Sequence, residues 1–328
     1  MIFNFGLRSS SKLQIELVST ALTPVARRWL SGATPVQKKR VHLNGVFSAV
    51  AVPFTGTGDV DLAKFERNFD KWERDATLSG YAVGGSNGEV NTLSPSERIS
   101  LVAAARRRVA PNKLIIGGAT AESTRLTIEM CKGMSEMGAD AVLVLSPFYF
   151  KSKMTESAIR RHFEAVADES PVPVVIYNNP FVSNIDLSLD TLAWLANHEN
   201  IQGVKGGDVR KMGYLSMKTK DKNFDILIAS AGYILPALQL ELYTLVKENK
   251  LAEAKGLQMR IIPPDVLLLA ELGVPGVKAA MNIVGYEGGY CRAPLPEVTN
   301  DALLKIEHIL KDNGFLYKEE RMETRHKI

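Results

Sequence analysis

The chain has 328 residues, 45% of them hydrophobic, so it can bury the core of one α/β barrel or of two smaller domains. Its two cysteines, Cys131 and Cys291, lie far apart and outside any CxxC pair, and no two histidines have metal-ligand spacing, so we expect neither disulfides nor a metal site. The net charge of +4 comes from the first 44 residues, which carry +6; the remaining −2 argues against a nucleic-acid partner.

Residues 1–44 form a leader that is rich in Arg, Lys, Ser and Thr, with Glu16 as its one acidic residue. It lacks the continuous apolar core and the Ala-x-Ala site of a secretory signal, and residues 27–31 suit processing. This composition predicts a mitochondrial transit peptide and a matrix location; a disordered basic tail is the alternative. No apolar run approaches the roughly twenty residues of a membrane span, so we expect no membrane partner.

From Gly45 onward, short apolar runs alternate with amphipathic helical segments. The runs recur at intervals of about 24 to 34 residues, the size of one βα unit. They are apolar without alternation, which is typical of parallel strands that helices cover on both faces. The predicted strands are residues 46–52, 80–84, 114–118, 141–145, 172–177, 201–205 and 224–228.

The intervening segments carry helix-start signals. Asp61, Ser123 and Thr155 are predicted N-caps, and Ser94 is followed by a first-turn proline and by the capping-box glutamate Glu97. Seven βα units without a dinucleotide fingerprint predict a (β/α)8 TIM barrel rather than a doubly wound sheet. We expect the barrel to span residues 45–270, with C-terminal helices near 277–284 and 302–310 in an extension over 271–328.

The eighth strand of this barrel is missing from the pattern or replaced. Leu238, Leu240 and Leu242 alternate, as in a short strand, but a helix fits their segment at least as well. A barrel without its eighth strand has two unpaired edges, so we expect something to cover or replace that strand.

Four motifs lie just past the ends of predicted strands. Lys205 ends the sixth strand and Tyr177 the fifth; the Gly-Gly-Ser-Asn-Gly-Glu turn at 84–89 follows the second, and Tyr149 follows the fourth. Each alone fits a structural role: a lysine that reaches solvent, an ordinary βα turn or a packing aromatic. Barrel enzymes hold their active sites at this end of the strands, so the shared position predicts one site.

These motifs, with the opening at 45–54, resemble the dihydrodipicolinate synthase / N-acetylneuraminate lyase family of class I, pyruvate-linked aldolases. The resemblance covers about residues 45–316. Within the family, the Ser-Asn version of the turn, the stretch at 285–295 and the leader are most similar to mitochondrial members that cleave 4-hydroxy-2-oxoglutarate. Residues 180–186 lack the arginine with which the family's synthases bind the carboxylate of an aldehyde substrate.

The resemblance implies that Lys205 forms a Schiff base with a 2-oxo acid and that Tyr177 transfers protons during the reaction. It also implies that cleavage gives pyruvate and glyoxylate without a cofactor. The equivalent of Tyr149 comes from a neighbouring subunit in the family, so a homo-oligomer, usually a tetramer, is expected. The substrate-binding residues that it implies are Ser86, Asn87, Tyr149 and Ala229.

The chain departs from the family pattern at three places. The loop after Lys205 is two residues shorter and lacks a serine, Ala229 replaces a glycine, and the eighth strand has no counterpart between Gly232 and Leu240. Two alternatives to the lyase therefore stay open. One is a catalytically impaired barrel with a structural or interaction role, and the other is a condensing enzyme like dihydrodipicolinate synthase.

Overall fold

Seven parallel strands follow one another in chain order in a single sheet. The computed structural model describes residues 40–222, 224–228 and 234–316. All seven predicted strands are present, and the predicted barrel-type fold is confirmed. The strands are β1 (Phe47–Ala49), β2 (Gly80–Val83), β3 (Leu114–Gly118), β4 (Ala141–Leu145), β5 (Val174–Asn178), β6 (Ile201–Gly206) and β7 (Asp225–Ile228).

Helices connect the strands and begin at the predicted caps. Ser94 Oγ accepts a hydrogen bond from the Glu97 N–H, and the Glu97 carboxylate accepts one from the Ser94 N–H, which completes the capping box. Asp61, Ser123 and Thr155 each cap a helix through the side chain. The barrel helices are α1 (Leu62–Asp75), α2 (Pro95–Arg108), α3 (Thr124–Glu136), α4 (Glu156–Glu169), α5 (Pro180–Ser183), α6 (Leu189–Leu195) and α7 (Val209–Lys218).

In the described part of the chain, no strand joins β7 back to β1. The segment with alternating leucines is helical, as the second interpretation of the sequence had it. Pro236 occupies its first turn, where a missing N–H removes no intrahelical hydrogen bond. The remaining helices are α8 (Pro236–Lys247), α9 (Leu251–Asp265), which continues into a π-helical segment (Val266–Glu271), α10 (Gly273–Ile283) and α11 (Asn300–Asp312).

The two faces of the sheet pack into separate apolar clusters, because side chains alternate along each strand. A large cluster lies between the strands and the helices, and a small one fills the inside of the barrel. The buried members of the inner cluster are Val41, Leu43, Ala82, Ile116, Ala141, Leu143 and Val175. Tyr177 packs against this cluster, so the inner core supports one predicted site residue.

The segment before β1 lies across the N-terminal end of the barrel. The Val41 N–H donates to Gln202 Oε1 at 3.0 Å, and the Leu43 N–H donates to Asp225 Oδ2 at 3.1 Å, at the starts of β6 and β7. The Arg40 guanidinium pairs with the same Asp225 carboxylate at 3.1 Å. Residues 40–44 of the predicted leader thus pack against the barrel. Residues 1–39 lie outside the described residues, and the transit peptide over 1–44 stays a prediction.

The predicted C-terminal helices are present as α10 and α11. No helix in the described ranges has the length and apolar character to cross a membrane. Within the same ranges, no group of three His, Cys, Asp or Glu side chains is placed to hold a metal ion.

Candidate active site

Lys205 and Tyr177 lie side by side at the ends of neighbouring strands. They are direct partners in the register of β5 and β6, so both side chains leave the sheet on the same face. Lys205 Nζ is 3.9 Å from the centroid of the Tyr177 ring. Both residues are half-buried. The structure therefore brings together the two residues that the sequence assigned to catalysis.

Ser86 approaches this pair from the turn after β2. Its Oγ lies 3.4 Å from Tyr177 Oη. The turn takes this path because Gly84 has a φ of 77°, which favours glycine, and because the β3 backbone is close: a Cβ on Gly118 would meet the Gly84 carbonyl oxygen at 1.9 Å. Asn87 follows Ser86 in a 3-10 turn over Ser86–Gly88 and is half-buried.

The surroundings of the Tyr177 phenol favour its ionised form. Burial alone would raise the pKa of Tyr177, but the Lys205 charge and hydrogen bonds from Ser86, Lys205 and Asn179 outweigh it and place the pKa below its ordinary value. A phenol with a lowered pKa and a neighbouring amine can give up and take back a proton near neutral pH more readily than a free tyrosine.

Asn179 is the contact at this site that sequence reasoning missed. Its Nδ2 donates to Tyr177 Oη at 2.8 Å, a shorter distance than that from Ser86. The residue stands directly before Pro180, the first residue of α5, and an asparagine in that position normally indicates a helix cap. The sequence signal was therefore visible but favoured another role.

Among the described residues, Tyr149 shares no hydrogen bond or ring contact with Lys205 or Tyr177. The Tyr149 side chain is 76% exposed, and its ring packs edge-on against Phe150 at 5.1 Å between centroids. Its backbone N–H donates to the Glu122 carboxylate at 2.9 Å, which fixes the loop after β4. Ala229 lies outside the described residues.

The loop after Lys205 is as short as its sequence indicates. Strand β6 ends at Gly206, and α7 begins at Val209, so only two residues connect them. Asp208 caps α7 by accepting hydrogen bonds from the N–H groups of Arg210 and Lys211 at 3.0 and 3.1 Å. This cap turns the chain away from the barrel end within four residues of Lys205.

Two residues from the C-terminal part of the chain contact the 84–89 turn at its last residue. Glu89, its last residue, pairs with Lys278 of α10 and accepts a hydrogen bond from the Arg292 N–H at 2.9 Å. The Arg292 guanidinium in turn binds the Glu97 carboxylate at 2.6 and 3.0 Å. Residues far apart in the chain thus fix the turn that carries Ser86.

An amine and a phenol in contact at the C-terminal end of a parallel barrel suit imine formation with a carbonyl substrate, in which the phenol transfers protons. The fold and this site together define the class of pyruvate-dependent lyases and synthases.

The model of the dihydrodipicolinate synthetase family matches residues 42–228 and 223–313, and the chain belongs to this family. The two matched segments overlap at residues 223–228, a range that includes β7.

The similarity to curated relatives covers nearly the whole length of each relative. The chain is similar to the 4-hydroxy-tetrahydrodipicolinate synthase of Gluconacetobacter diazotrophicus, with 30% identity over 292 residues, 83% of this chain and 97% of the relative. It is 32% identical to that of Acidiphilium cryptum over 296 residues, 83% of this chain and 99% of the relative. A crystal structure of the Acinetobacter baumannii dihydrodipicolinate synthase complexed with pyruvate matches with a TM-score of 0.78 at 27% identity, covering 84% of this chain and all of that one. The chain is thus an enzyme of the class I aldolase/lyase type.

Proposed function

We propose that this protein is a mitochondrial 4-hydroxy-2-oxoglutarate aldolase, which cleaves its substrate to pyruvate and glyoxylate. The observation that carries the proposal is the contact between Lys205 and Tyr177, with Nζ 3.9 Å from the ring centroid, and with Ser86 within 3.4 Å of the phenol oxygen. A nucleophilic amine, a proton-transfer group and a hydroxyl relay are the groups that a Schiff-base aldolase requires.

In the proposed reaction, the Lys205 amine attacks the C2 ketone of the 2-oxo acid, and loss of water gives an iminium ion. The C3–C4 bond then breaks, and its electron pair moves towards the iminium to form an enamine. The proton of the C4 hydroxyl passes to the Tyr177 phenolate as glyoxylate leaves. Protonation of the enamine at C3 and hydrolysis of the imine release pyruvate and restore Lys205.

The substrate is proposed from the two loops that flank this pair. The C1 carboxylate is placed on the backbone N–H groups of Ser86 and Asn87, since the first N–H groups of a helical turn lack intrahelical acceptors. The loop after β5 offers no arginine or lysine between residues 180 and 186, and Phe181 in it is 97% exposed. This loop therefore favours a substrate whose second carboxylate is not held by an arginine there.

We further propose a homo-oligomer, in the form of a tetramer, in the mitochondrial matrix. The exposure of Tyr149 suits a role in a neighbouring copy's site, because its phenol is available to a second subunit. The basic composition of residues 1–44 supports the location.

Borohydride trapping tests the Schiff base. The full chain is incubated with pyruvate and sodium borohydride, and the adduct is located by peptide mass spectrometry. We expect a reduced pyruvyl adduct on Lys205, none in Lys205→Met, and an unchanged adduct in Lys218→Met, which removes an exposed lysine of α7. A folded chain that forms no adduct would support the impaired homologue with a structural role.

The names of the curated relatives favour a second candidate, a condensing synthase. The two candidates use the same Schiff base and differ in the second reactant. We expect the chain to release pyruvate from 4-hydroxy-2-oxoglutarate and not to condense pyruvate with the aldehyde substrate of the synthases. Condensation without cleavage would replace the aldolase by the synthase.

A further inference from the structure

Asn179 uses its side chain in an unusual way for its position. It is the residue before α5, where an asparagine side chain ordinarily accepts a hydrogen bond from the first turn of the helix. Here no side-chain cap is formed in α5. The amide Nδ2 instead donates to Tyr177 Oη at 2.8 Å. The side chain is thus committed to the phenol and not to the helix.

The backbone at Asn179 is fixed by hydrogen bonds that do not involve the Asn179 side chain. The Asn179 carbonyl oxygen accepts hydrogen bonds from the N–H groups of Val182 and Ser183, both at 3.1 Å, and from Ser183 Oγ at 3.1 Å. The preceding residue, Asn178, is 5% exposed, and it donates to Asp186 at 2.8 Å and accepts from the Leu187 N–H at 3.0 Å. Residues on both sides of the amide are therefore fixed.

A phenol oxygen that accepts a hydrogen bond from an amide still has its own proton to donate. The amide donor also favours the phenolate, because the negative oxygen accepts a stronger hydrogen bond than the neutral one. The other groups that face the phenol are the Lys205 ammonium from β6 and the Ser86 hydroxyl from the β2 turn, and all three lower the pKa of Tyr177 against burial, which raises it.

We propose that Asn179 is a positioning residue that holds the Tyr177 oxygen as an acceptor and so directs the phenol proton to and from the substrate oxygen at C4. This inference rests on the proposed function for the identity of the substrate. The hydrogen bond between Asn179 and Tyr177 is independent of the proposed function.

Two substitutions in the full chain separate this role from a structural one. Asn179→Leu removes the donor, and Asn179→Asp replaces it by a carboxylate that repels the phenolate. We expect the pKa of Tyr177 to rise by about one unit in the first variant and by more in the second. Each pKa is measured by ultraviolet titration of the phenol groups. Because the chain has nine tyrosines, the titration curve of the same variant carrying Tyr177→Phe is subtracted, which leaves the signal of Tyr177.

The kinetic readout follows from the same shift. We expect kcat for cleavage of 4-hydroxy-2-oxoglutarate to fall about tenfold in Asn179→Leu and to recover in part as the pH rises, while KM changes less than about twofold. Asn197→Leu, an exposed asparagine after α6, is the matched control and is expected to keep both constants.

The outcomes distinguish this inference from the proposed function. An unchanged Tyr177 titration in folded Asn179→Leu overturns the role of Asn179, whatever the substrate is. If the titration shifts as expected but the unsubstituted chain does not cleave 4-hydroxy-2-oxoglutarate, the proposed substrate is wrong and the link between Asn179 and Tyr177 stands.

Discussion

Lys278 and Glu89 form an ion pair that is sealed from solvent: Nζ lies 2.5 Å from Oε1, and the two side chains are 2% and 0% exposed. Lys278 Nζ also donates to the Tyr290 carbonyl at 2.6 Å and lies 4.5 Å from the centroid of the Phe54 ring. Glu89 has a φ of 54°, a left-handed conformation that costs a non-glycine residue about 1–2 kcal/mol. The ion pair therefore stabilises a strained residue at the end of the turn that carries Ser86.

We predict that Lys278→Met destabilises the protein by about 3–5 kcal/mol, because it leaves the Glu89 carboxylate buried without a cation. The double variant Glu89→Gln/Lys278→Met is expected to lose less than the single one, since no buried charge remains. Urea unfolding of the three chains measures both values. Equal midpoints for Lys278→Met and the unsubstituted chain would show that this pair does not hold the turn.

The ion pair between Arg292 and Glu97 predicts a pH-dependent part of the stability. Its hydrogen bond from Arg292 outweighs burial and lowers the pKa of Glu97 to about 2. Because this folded-state pKa lies below the ordinary value of 4.5, the pair stabilises the fold above that pH, and the contribution is lost as the pH falls from 4.5 towards 2. We expect Glu97→Gln to lower the free energy of unfolding by about 1–3 kcal/mol at neutral pH and by little near pH 2.

The control for Glu97→Gln is Glu129→Gln. Glu129 pairs with Arg125 on the surface of α3, where the two side chains are 54% and 89% exposed. Such a pair contributes about 0–1 kcal/mol, so the control variant is expected to unfold like the unsubstituted chain. A loss for Glu97→Gln that is equally large at pH 7 and near pH 2 would mean that packing, and not charge, explains it.

The strands and helix starts were predictable because their signals are local. The capping box at Ser94 and Glu97 spans four residues, and each short apolar run predicts one strand. The contact between Lys205 and Tyr177 was predictable for another reason: the ends of neighbouring parallel strands meet at one edge of the sheet. Both predictions required only short segments and one rule of fold geometry.

Other features were not predictable, because their partners are distant or their signals ambiguous. Glu89 and Lys278 are far apart in the chain, and the sequence around one of them does not indicate that it contacts the other. The alternating leucines before residue 243 fit a strand as well as a helix until Pro236 is seen to begin α8. Asn179 fits a helix cap, and only the three-dimensional structure shows its amide at the phenol.

Both cysteines are predicted to react slowly in the folded protein. Burial raises the pKa of Cys131 to about 12 and that of Cys291 to about 11, so near pH 8 both remain thiols, whereas the thiolate is the reactive form. Ellman's reagent should therefore modify two thiols rapidly only after denaturation. Cys131 is fully buried and Cys291 is partly exposed, so Cys291→Ser should remove the faster part of any reaction in the folded state. Rapid modification of the native Cys291→Ser variant would contradict the burial of Cys131.

The inner cluster predicts where the N-terminal boundary of the fold lies. Val41 and Leu43 are each 4% exposed inside the barrel, whereas His42 between them faces solvent. Leu43→Ala removes buried methyl groups from a closed space and is expected to lower the free energy of unfolding by about 2–5 kcal/mol. His42→Ala, one residue away, should change it by less than about 0.5 kcal/mol.

Denaturant unfolding of these two full-length variants distinguishes a packed segment from a leader that contributes nothing to the barrel. Equal stability of Leu43→Ala and His42→Ala would place residues 41–43 in the leader. A loss confined to Leu43→Ala would mean that any processing of the chain must occur before Val41, since removal of both apolar side chains would also remove the hydrogen bonds to Gln202 and Asp225 at the starts of β6 and β7. The barrel, which has no strand between β7 and β1 within the described residues, would then depend on this segment for the filling of its N-terminal end.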